Sequence, residues 1–289
     1  MPAMRLVPAG LMAALLPLSG CIPAAQPGQS SAPPPASLAV PEGYRLTWSE
    51  EFDGGDSPDP AKWTYDTHRN RQGWYNGEAQ YYARDRRRNI RVENGVLLIE
   101  AHRETLDRAR HPDWGGQHYT SGRLVTRGRR SWTRGYFEVR AKMPCARGTW
   151  PAIWLLPVRE SRRWQGGEID MAEHVGAQPG IIHHSVQTPA RNFRNGDHPT
   201  ATTQVADACA AFHRYQLHWT DQWVRIGVDD RVALTVHPAD LGVALDSPMY
   251  LILNLAIGGD WGGAKGIDDD ALPARLEVDY VRVFEEGAA

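Results

Sequence analysis

The chain has 289 residues and a formal net charge of −2, from 32 basic and 34 acidic side chains. This length allows one large domain or two ordinary ones, and the nearly balanced charge offers no basic surface of the kind that binds nucleic acid. Tryptophan and tyrosine, with 11 and 10 residues, outnumber the 5 phenylalanines. Because Trp and Tyr combine a flat face with a hydrogen-bonding edge, this balance favours a surface that stacks on sugars, although core packing also accounts for most of them.

The first 20 residues have the layout of an export signal. Arg5 precedes an apolar run from Leu6 to Leu18, which is too short to span a membrane and is followed by small residues. The segment Leu18-Ser19-Gly20-Cys21 resembles the lipobox of bacterial lipoproteins, which implies lipid attachment at Cys21. We therefore expect an exported protein whose acyl chains anchor it to a bacterial membrane, facing the periplasm or the cell surface. A cleaved signal followed by secretion is the alternative.

Residues 21–40 are rich in Pro, Ala and Ser and contain almost no large apolar side chains. Such a segment buries too little surface to offset the entropy of ordering, so we predict a disordered linker. From Tyr44 onward the pattern is one of strands and turns, without heptads or a long helical period. Because no repeat or second change in composition follows, we predict one domain over residues 41–289, and we expect it to be monomeric.

Several segments of this domain alternate apolar and polar residues or are continuously apolar, as strands are. Asn94-Gly95 separates two apolar runs and predicts a tight hairpin turn. Further strands are predicted at residues 136–143, 181–188, 215–220, 223–228, 249–257 and 276–284. These are too many strands for one flat sheet. We therefore predict an all-β sandwich of two antiparallel sheets.

The segment Glu168–Glu173 places three carboxylates among apolar residues. Strand alternation puts Glu168 and Asp170 on one face but turns Glu173 to the other. A β-bulge at Met171-Ala172 would return Glu173 to the face of the first two acids. Two carboxylates beside one bond can act as nucleophile and proton donor, which is the chemistry of glycoside hydrolysis.

Other interpretations of these features remain open at this point. The acids could be a solvated row, or could pair with the nearby arginines Arg159, Arg162 and Arg163. The adjacent His183 and His184 suggest a metallohydrolase, but adjacent strand residues point to opposite faces, and no His-Glu-x-x-His spacing is present. A carbohydrate-binding protein without turnover would use the same aromatic residues, although such a protein would be expected to have lost an acid.

Taken in order, the motifs resemble glycoside hydrolase family 16, and in particular its laminarinase-like branch with the bulged pattern Glu-x-Asp-x-x-Glu. The likeness extends over nearly all of residues 44–285. It implies a β-jelly roll with a substrate cleft across its concave face. Besides the acids, the matching segments are Trp48–Gly54, Asn76–Tyr82, Ser121–Leu124, Trp150–Trp154 and Leu253–Gly259.

The resemblance implies a role for each acid. Glu168 would be the nucleophile and Glu173 the general acid/base, while Asp170 would share a proton with Glu168 and hold its orientation. Burial and two nearby acids would keep Glu173 protonated near neutral pH. The implied reaction retains the anomeric configuration through a covalent glycosyl-enzyme and requires no cofactor. The expected substrate is a β-1,3-glucan such as laminarin, cleaved internally, with mixed-linkage β-glucan and galactans such as agarose as alternatives.

A glycan cleft needs aromatic faces and polar side chains, and the resemblance supplies candidates for both. The stacking candidates are Trp150 and Trp164, with Trp154 and Trp261 behind them. Core packing is the alternative for each of these residues. Trp164, beside Gly166-Gly167, is the one that we expect to be exposed.

The polar substrate-binding candidates also come from the resemblance. Asn76 and Asn254 match positions that hydrogen-bond sugar hydroxyls, although a turn residue with positive φ is the alternative for Asn76. His183 could reach the acid/base or could be structural. Gln187 stands where many relatives have a second His, and the loop Arg162–Gly167 is shorter than the common form, so both put the choice of substrate in doubt.

Two further expectations concern stability. Many relatives bind a structural calcium ion, and Glu51, the backbone of Gly95 and Asp279 match its ligand positions with the oxygen donors that calcium prefers. Cys145 and Cys209 are the two cysteines that follow Cys21. Export would permit a disulfide between them, and its formation depends on geometry that the sequence does not show.

Overall fold

The computed structural model describes residues 37–159 and 164–287. The predicted signal, Cys21, most of the predicted linker and the arginines Arg162 and Arg163 lie outside the described residues. None of the described helices is long and apolar enough to cross a membrane. The strands are β1 Tyr44–Glu50, β2 Thr64–Tyr65, β3 Gln80–Tyr82, β4 Ile90–Glu93, β5 Val96–Arg103, β6 Tyr119–Ser121, β7 Arg123–Val125, β8 Gly135–Lys142, β9 Thr149–Pro157, β10 Glu168–His174, β11 Ile181–Gln187, β12 Thr200–Gln204, β13 His213–Trp219, β14 Val224–Val228, β15 Arg231–Val236, β16 Met249–Ile257 and β17 Ala274–Glu286. The 3-10 helices are Tyr75–Gly77, Pro238–Leu241 and Asp269–Ala271.

The strands form two sheets, which confirms the predicted all-β sandwich. The ten-stranded sheet has the order β15-β14-β13-β8-β17-β5-β6-β3, with β1 on β17 and β4 on β5. The seven-stranded sheet has the order β12-β11-β10-β9-β16-β7-β2. One pair departs from the predicted antiparallel arrangement, since β3 runs parallel to β6. The reason is that β3 and β4 run in the same direction and the chain then reverses twice, after β4 and after β5.

The predicted hairpin turn is present between β4 and β5. Asn94 and Gly95 have φ values of 53° and 75°. Positive φ at both central residues is what a two-residue turn of type I′ requires, and it matches the twist of the flanking strands. The Asn-Gly pair therefore sets the register of this hairpin.

Strand β16 shows how the fold separates its core from its cleft. All nine residues of β16 are buried, because the strand lies between β9 and β7 in the seven-stranded sheet. Its leucines enter the main core with the apolar face of β8, and each such side chain contributes about 1.5–3 kcal/mol on burial. The intervening positions of β16, including Tyr250 and Asn254, line a cleft on the opposite face of the same sheet.

The packed domain begins earlier than predicted. Leu38 is only 2% exposed, and its backbone N–H donates to Asp230 O at 2.8 Å. The hydroxyl of Tyr136 in turn donates to Leu38 O at 2.8 Å. The predicted linker of residues 21–40 is therefore too long at its C-terminal end, because one apolar anchor was hidden in a segment of polar and small residues.

Cys145 and Cys209 form a disulfide, which settles the question that the sequence left open. Their Cα atoms are 5.8 Å apart. The bond joins the segment after β8 to the segment before β13, and these two strands are neighbours in the ten-stranded sheet. A cross-link of this kind stabilises a fold by about 2–4 kcal/mol, mainly by restricting the unfolded chain.

Candidate active site

A cleft of about 710 Å³ crosses the seven-stranded sheet, with β10 on its floor. One side, which we call the long wing, is formed by β9, β16, β7 and the segment 68–78. The other side, which we call the short wing, is formed by β11, β12 and the loop 188–199. The three acids of β10 lie where the wings meet.

The predicted β-bulge is present in β10. On one side, Asp170 pairs with Trp154 and Ala172 with Ile153, so two residues of β10 oppose one of β9. The register on the β11 side also shifts between Asp170 and Glu173. Ile169, Met171 and Ala172 point into the core, while the acids Glu168, Asp170 and Glu173 line the cleft.

Asp170 is the most deeply buried of the acids, with 2% exposure. Burial raises the pKa of Asp170 above its ordinary value, and hydrogen bonds from Ser185 and Gln187 oppose that rise because they favour the charged form. Ser185 lies opposite Asp170 on β11, and its hydroxyl donates to Asp170 Oδ2. Asp170 is thus placed to hold or release a proton close to its neighbours.

Glu173 lies at the other end of the acid row. Burial raises the pKa of Glu173 well above its ordinary value, and the negative charge of Asp170, then that of Glu78, raises it further. Trp150 Nε1 donates to Glu173 Oε1 at 3.0 Å and opposes the rise. The raised pKa favours the protonated form of Glu173, which is the form that a general acid needs.

Glu168 is held by the strand beside it. Gln187 lies directly opposite Glu168 on β11, and its Nε2 donates to Glu168 Oε1 at 2.9 Å. The same nitrogen donates to Asp170 Oδ2 at 3.2 Å. Gln187 lines the cleft as predicted, but its amide is engaged by the acids.

The long wing is a hydrogen-bonded arrangement of aromatic and polar side chains. Trp154 Nε1 donates to Asn254 Oδ1 at 2.6 Å, and Asn254 Nδ2 donates to Tyr82 Oη at 3.0 Å. The guanidinium of Arg123 lies 4.8 Å from the ring centroid of Trp154 and 5.2 Å from that of Trp74. Trp154 and Asn254 therefore line the cleft as predicted, but the Asn254 amide also anchors protein side chains.

Trp150, Trp261 and His183 form an aromatic group beside Glu173. The ring centroids of Trp150 and Trp261 are 5.4 Å apart, and those of Trp261 and His183 are 4.7 Å apart, both with edge-to-face geometry. All three residues line the cleft. Burial lowers the pKa of His183, which favours its neutral form. The structure brings these predicted residues together beside Glu173.

The prediction that Trp164 is an exposed stacking residue is wrong. Trp164 is 5% exposed and does not line the cleft, because its ring packs edge-to-face against Phe193 at 5.5 Å between centroids. Phe193 is instead 46% exposed and lines the short wing. Sequence reasoning missed Phe193, since the polar loop that carries it gives no strand pattern.

Asn76 and Glu78 lie in the loop before β3. Asn76 lines the cleft and also has φ of 57°, so both interpretations of this residue hold. Its carbonyl accepts the backbone N–H of Asp260 at 2.7 Å, which ties the loop to the end of β16. Glu78 adds a fourth cleft carboxyl, and burial raises its pKa. Its motif was recognised in the sequence, but its side chain was not assigned to the cleft.

The histidine pair does not form a metal site. His183 faces the cleft, whereas His184 is fully buried and contacts Met171 O at 2.7 Å and Thr203 Oγ1 at 2.9 Å. The two imidazoles thus lie on opposite faces of β11, as strand geometry predicts.

The residues predicted to hold calcium do not fit the ion as they are arranged. The Glu51 carboxylate accepts hydrogen bonds from Arg282 at 3.0 and 2.8 Å, and Asp279 pairs with Arg140. Gly95 lies in the β4–β5 turn. Within the described ranges, the one group of metal-ligand atoms in mutual reach comprises Cys145, Cys209 and His174, and its two cysteines form the disulfide.

Three comparisons agree with this geometry. The sequence profile of glycosyl hydrolases family 16 matches residues 77–282. A beta-glucanase from Rhodothermus marinus is 47% identical over 253 residues, which cover 83% of this chain and 85% of that protein. The crystal structure of SCLam, a non-specific endo-beta-1,3(4)-glucanase from family GH16, matches with a TM-score of 0.82 and 46% identity over 88% of this chain and 96% of SCLam.

The X-ray structure of the laminarinase from Rhodothermus marinus also matches, with a TM-score of 0.77 and 46% identity over 84% of this chain and 97% of that one. These similarities extend across the sandwich and the acid strand alike. The protein is a glycoside hydrolase, and the chain belongs to glycosyl hydrolases family 16.

Proposed function

We propose that the protein is a retaining endo-β-1,3-glucanase that cleaves laminarin-type β-1,3-glucan. The observation that carries the proposal is the bulge in β10, which brings Glu168, Asp170 and Glu173 onto one cleft floor. The three similar hydrolases described above support the substrate class, since their names describe β-glucanase and laminarinase activity. Mixed-linkage β-1,3-1,4-glucan is the second candidate, supported by the non-specific SCLam enzyme.

The reaction proceeds in two displacements. In the first, Glu168 attacks the anomeric carbon while Glu173 gives its proton to the glycosidic oxygen, so the leaving sugar departs as an alcohol. In the second, Glu173 takes a proton from water, whose oxygen displaces Glu168 from the anomeric carbon. Two inversions at that carbon give net retention. The raised pKa of Glu173 supports its role as the proton donor of the first step.

Asp170 acts between the two steps. Its carboxyl group is buried beside Glu168 and receives hydrogen bonds from Ser185 and Gln187. A proton on Asp170 can be shared with Glu168 when the negative charge returns to Glu168, which limits repulsion between the neighbouring carboxylates.

Internal cleavage follows from where the acids lie. The cleft continues on both sides of β10, so a glucan chain can occupy the long and short wings together. The scissile bond then lies within the bound chain. An enzyme that removed single terminal sugars would need a wall at one side of the acids.

Export and anchoring belong to the same proposal. The apolar run 6–18 and the lipobox-like end at Cys21 support lipid attachment to a bacterial membrane, and the linker supports a tethered catalytic domain. A Cys21→Ser variant of the full chain should leave the membrane fraction and lose incorporation of labelled fatty acid. Equal incorporation in both proteins would overturn the anchor and leave the hydrolase standing. We also propose a monomer, to be checked by light scattering.

The test of the hydrolase compares wild type with Glu168→Ala and Glu173→Ala on a glycan panel that includes laminarin, mixed-linkage β-glucan and agarose. Release of reducing ends should be highest on laminarin and should be lost in both variants. With an activated glucoside, azide should restore turnover, giving the α-glycosyl azide with Glu168→Ala and the β-glycosyl azide with Glu173→Ala. Agarose cleavage without laminarin cleavage would overturn the substrate. Full activity of Glu168→Ala would overturn the mechanism.

A further inference from the structure

A buried amide lies between the acid row and the loop of the short wing. Gln187 ends β11 and is 6% exposed. Its Nε2 lies 2.9 Å from Glu168 Oε1 and 3.2 Å from Asp170 Oδ2. An amide nitrogen carries two hydrogens, so both donors of Gln187 are used on the two carboxylates.

The other end of the amide fixes its orientation. Gln187 Oε1 accepts the backbone N–H of Phe193 at 3.2 Å. A flipped amide would place its oxygen against two carboxylates and its NH₂ against an N–H donor. All three contacts would then repel, so the orientation with two donors on the acids is the one that the surroundings allow.

The loop 188–199 is itself held in place. Asn192 is 3% exposed; its Nδ2 donates to Thr188 O, and its Oδ1 accepts the backbone N–H of Arg194 at 3.1 Å. Arg191 Nη2 donates to Asp197 O at 2.7 Å. The backbone N–H of Phe193 is therefore a preformed anchor for Gln187, because its loop is braced by its own side chains.

We propose that Gln187 is a positioning residue, which uses this anchor to hold Glu168 and Asp170 in their reactive orientation and to favour their ionised forms. This inference rests on the roles proposed above for the acids. It reassigns Gln187 from contact with sugar, as the sequence predicted, to control of the nucleophile. Hydrogen bonds from Gln187 and Ser185 to Asp170 lower the pKa of Asp170 against the effect of burial, which agrees with this role.

Because a side-chain amide does not titrate, Gln187 keeps the same hydrogen-bond donors across the pH range. Among the residues that the structure describes, the other titratable groups that line the same cleft are Glu173, Glu78, Asp260, His68, His183, His198, Tyr75, Tyr250, Arg123 and Arg127. Burial lowers the pKa of His183 and His198 and raises that of Glu173 and Glu78, which favours the neutral form of each group. The acid limb of the pH–activity profile should therefore respond to substitution of Gln187, whose amide contacts Glu168 and Asp170 directly.

The test measures kcat and KM on laminarin against pH for the near-isosteric variants Gln187→Met and Gln187→Glu. Loss of both donors in Gln187→Met should move the acid limb of kcat/KM upward by about one pH unit and lower kcat at neutral pH about tenfold. Gln187→Glu should shift the limb further, because it adds a negative charge. KM should change less than about twofold in Gln187→Met, since the inference gives Gln187 no contact with sugar.

Gln222→Met, on the exposed turn between β13 and β14, is the matched control and should keep the wild-type profile. Thermal unfolding of each variant is measured first. If Gln187→Met does not fold, the shift of the acid limb in the isosteric Gln187→Glu tests the inference. An unchanged acid limb in the folded variants, or a rise in KM alone, would overturn the inference and return Gln187 to sugar binding. Loss of activity in Glu168→Ala beside an unchanged Gln187→Met profile would leave the proposed hydrolase intact.

Discussion

The two wings of the cleft are built in different ways, although both flank the same acid strand. The long wing uses three strands and presents rings and a guanidinium that hydrogen bonds and stacking lock in place. The short wing uses two strands and a braced loop, and its buried amide is directed at the acids. The comparison suggests a division of labour in which the long wing provides most of the binding free energy and the short wing sets the state of Glu168 and Asp170.

The largest effect is expected at the junction of the wings. Glu173→Gln keeps the size of the side chain but removes the transferable proton, so kcat should fall about 10²- to 10⁴-fold with natural glucan. Because a raised pKa defines the acid/base, activity should also fall as pH rises through the pKa of Glu173. Rate measurements with an activated leaving group, which needs no protonation, should show a much smaller loss.

Trp150→Phe, on the long wing, tests whether Glu173 is the group that titrates in the basic limb of the pH–activity profile. The indole N–H of Trp150 favours ionised Glu173, so its removal should raise the pKa of Glu173 and move the basic limb to higher pH. A basic limb that stays in place would show that the titrating acid is another group.

The second effect concerns stability in the long wing. Arg123 is 6% exposed and pairs with Asp66 at 2.8 Å. Burial raises the pKa of Asp66, but the charge of Arg123, with His68, outweighs it and holds that pKa below its ordinary value. Asp66→Asn leaves a buried guanidinium without its partner and should lower the free energy of unfolding by about 3 kcal/mol.

The sign of the pH dependence follows from the lowered pKa. The pair stabilises the fold above the pKa of an unfolded aspartate, about 3.9, and this stability is lost as pH falls through the lower folded value. Denaturant unfolding of both proteins at several pH values measures the difference. Asp56→Asn is the control, because its pair with Arg87 is exposed and should contribute little. Equal losses in the two variants would mean that burial of Arg123 is not the cause.

The sequence predicted the structure of the acid strand β10, where the wings meet, better than it predicted the structure of the two wings. The bulge could be predicted because the three acids of this strand can lie on one face only if one extra residue is inserted between the second acid and the third. The Asn94-Gly95 hairpin followed from the φ values that such turns need. These are local constraints, and the residues that impose them are adjacent in the chain.

The errors concern contacts between distant segments. Trp164 was expected to be exposed because glycines follow it, yet Phe193 from another loop covers its ring. Arg123 and Glu78 stood in recognised motifs, but only the packing of β7 beside β16 and the docking of the 68–78 segment bring them to the cleft. Local pattern carries no information about which side chain of a distant loop will cover a ring.

The third effect tests binding in the long wing. Trp154→Ala removes a ring that stacks near Arg123 and donates to Asn254, so KM for laminarin should rise about tenfold, equivalent to about 1.4 kcal/mol. The value of kcat should change less, because Trp154 does not hydrogen-bond an acid. Trp223→Ala, in the turn directly before β14 and outside the cleft, serves as the matched control with unchanged KM. A dominant fall in kcat would contradict the assignment of the long wing to binding.

The smallest effect is expected from the exposed ring of the short wing. Phe193→Ala removes one side chain that is 46% exposed, and it leaves the backbone N–H that anchors Gln187. KM for long glucans should therefore rise only about threefold, within the range of a single aromatic contact, while the acid limb stays at the wild-type pH. Leu46→Ala, an exposed apolar residue of β1, controls for surface effects. Oligosaccharides of increasing length locate the contact, since those too short to reach the short wing should show no difference. A rise in KM that equals that of Trp154→Ala would mean that binding is shared evenly, and the asymmetry of the wings would then lie in the acids alone.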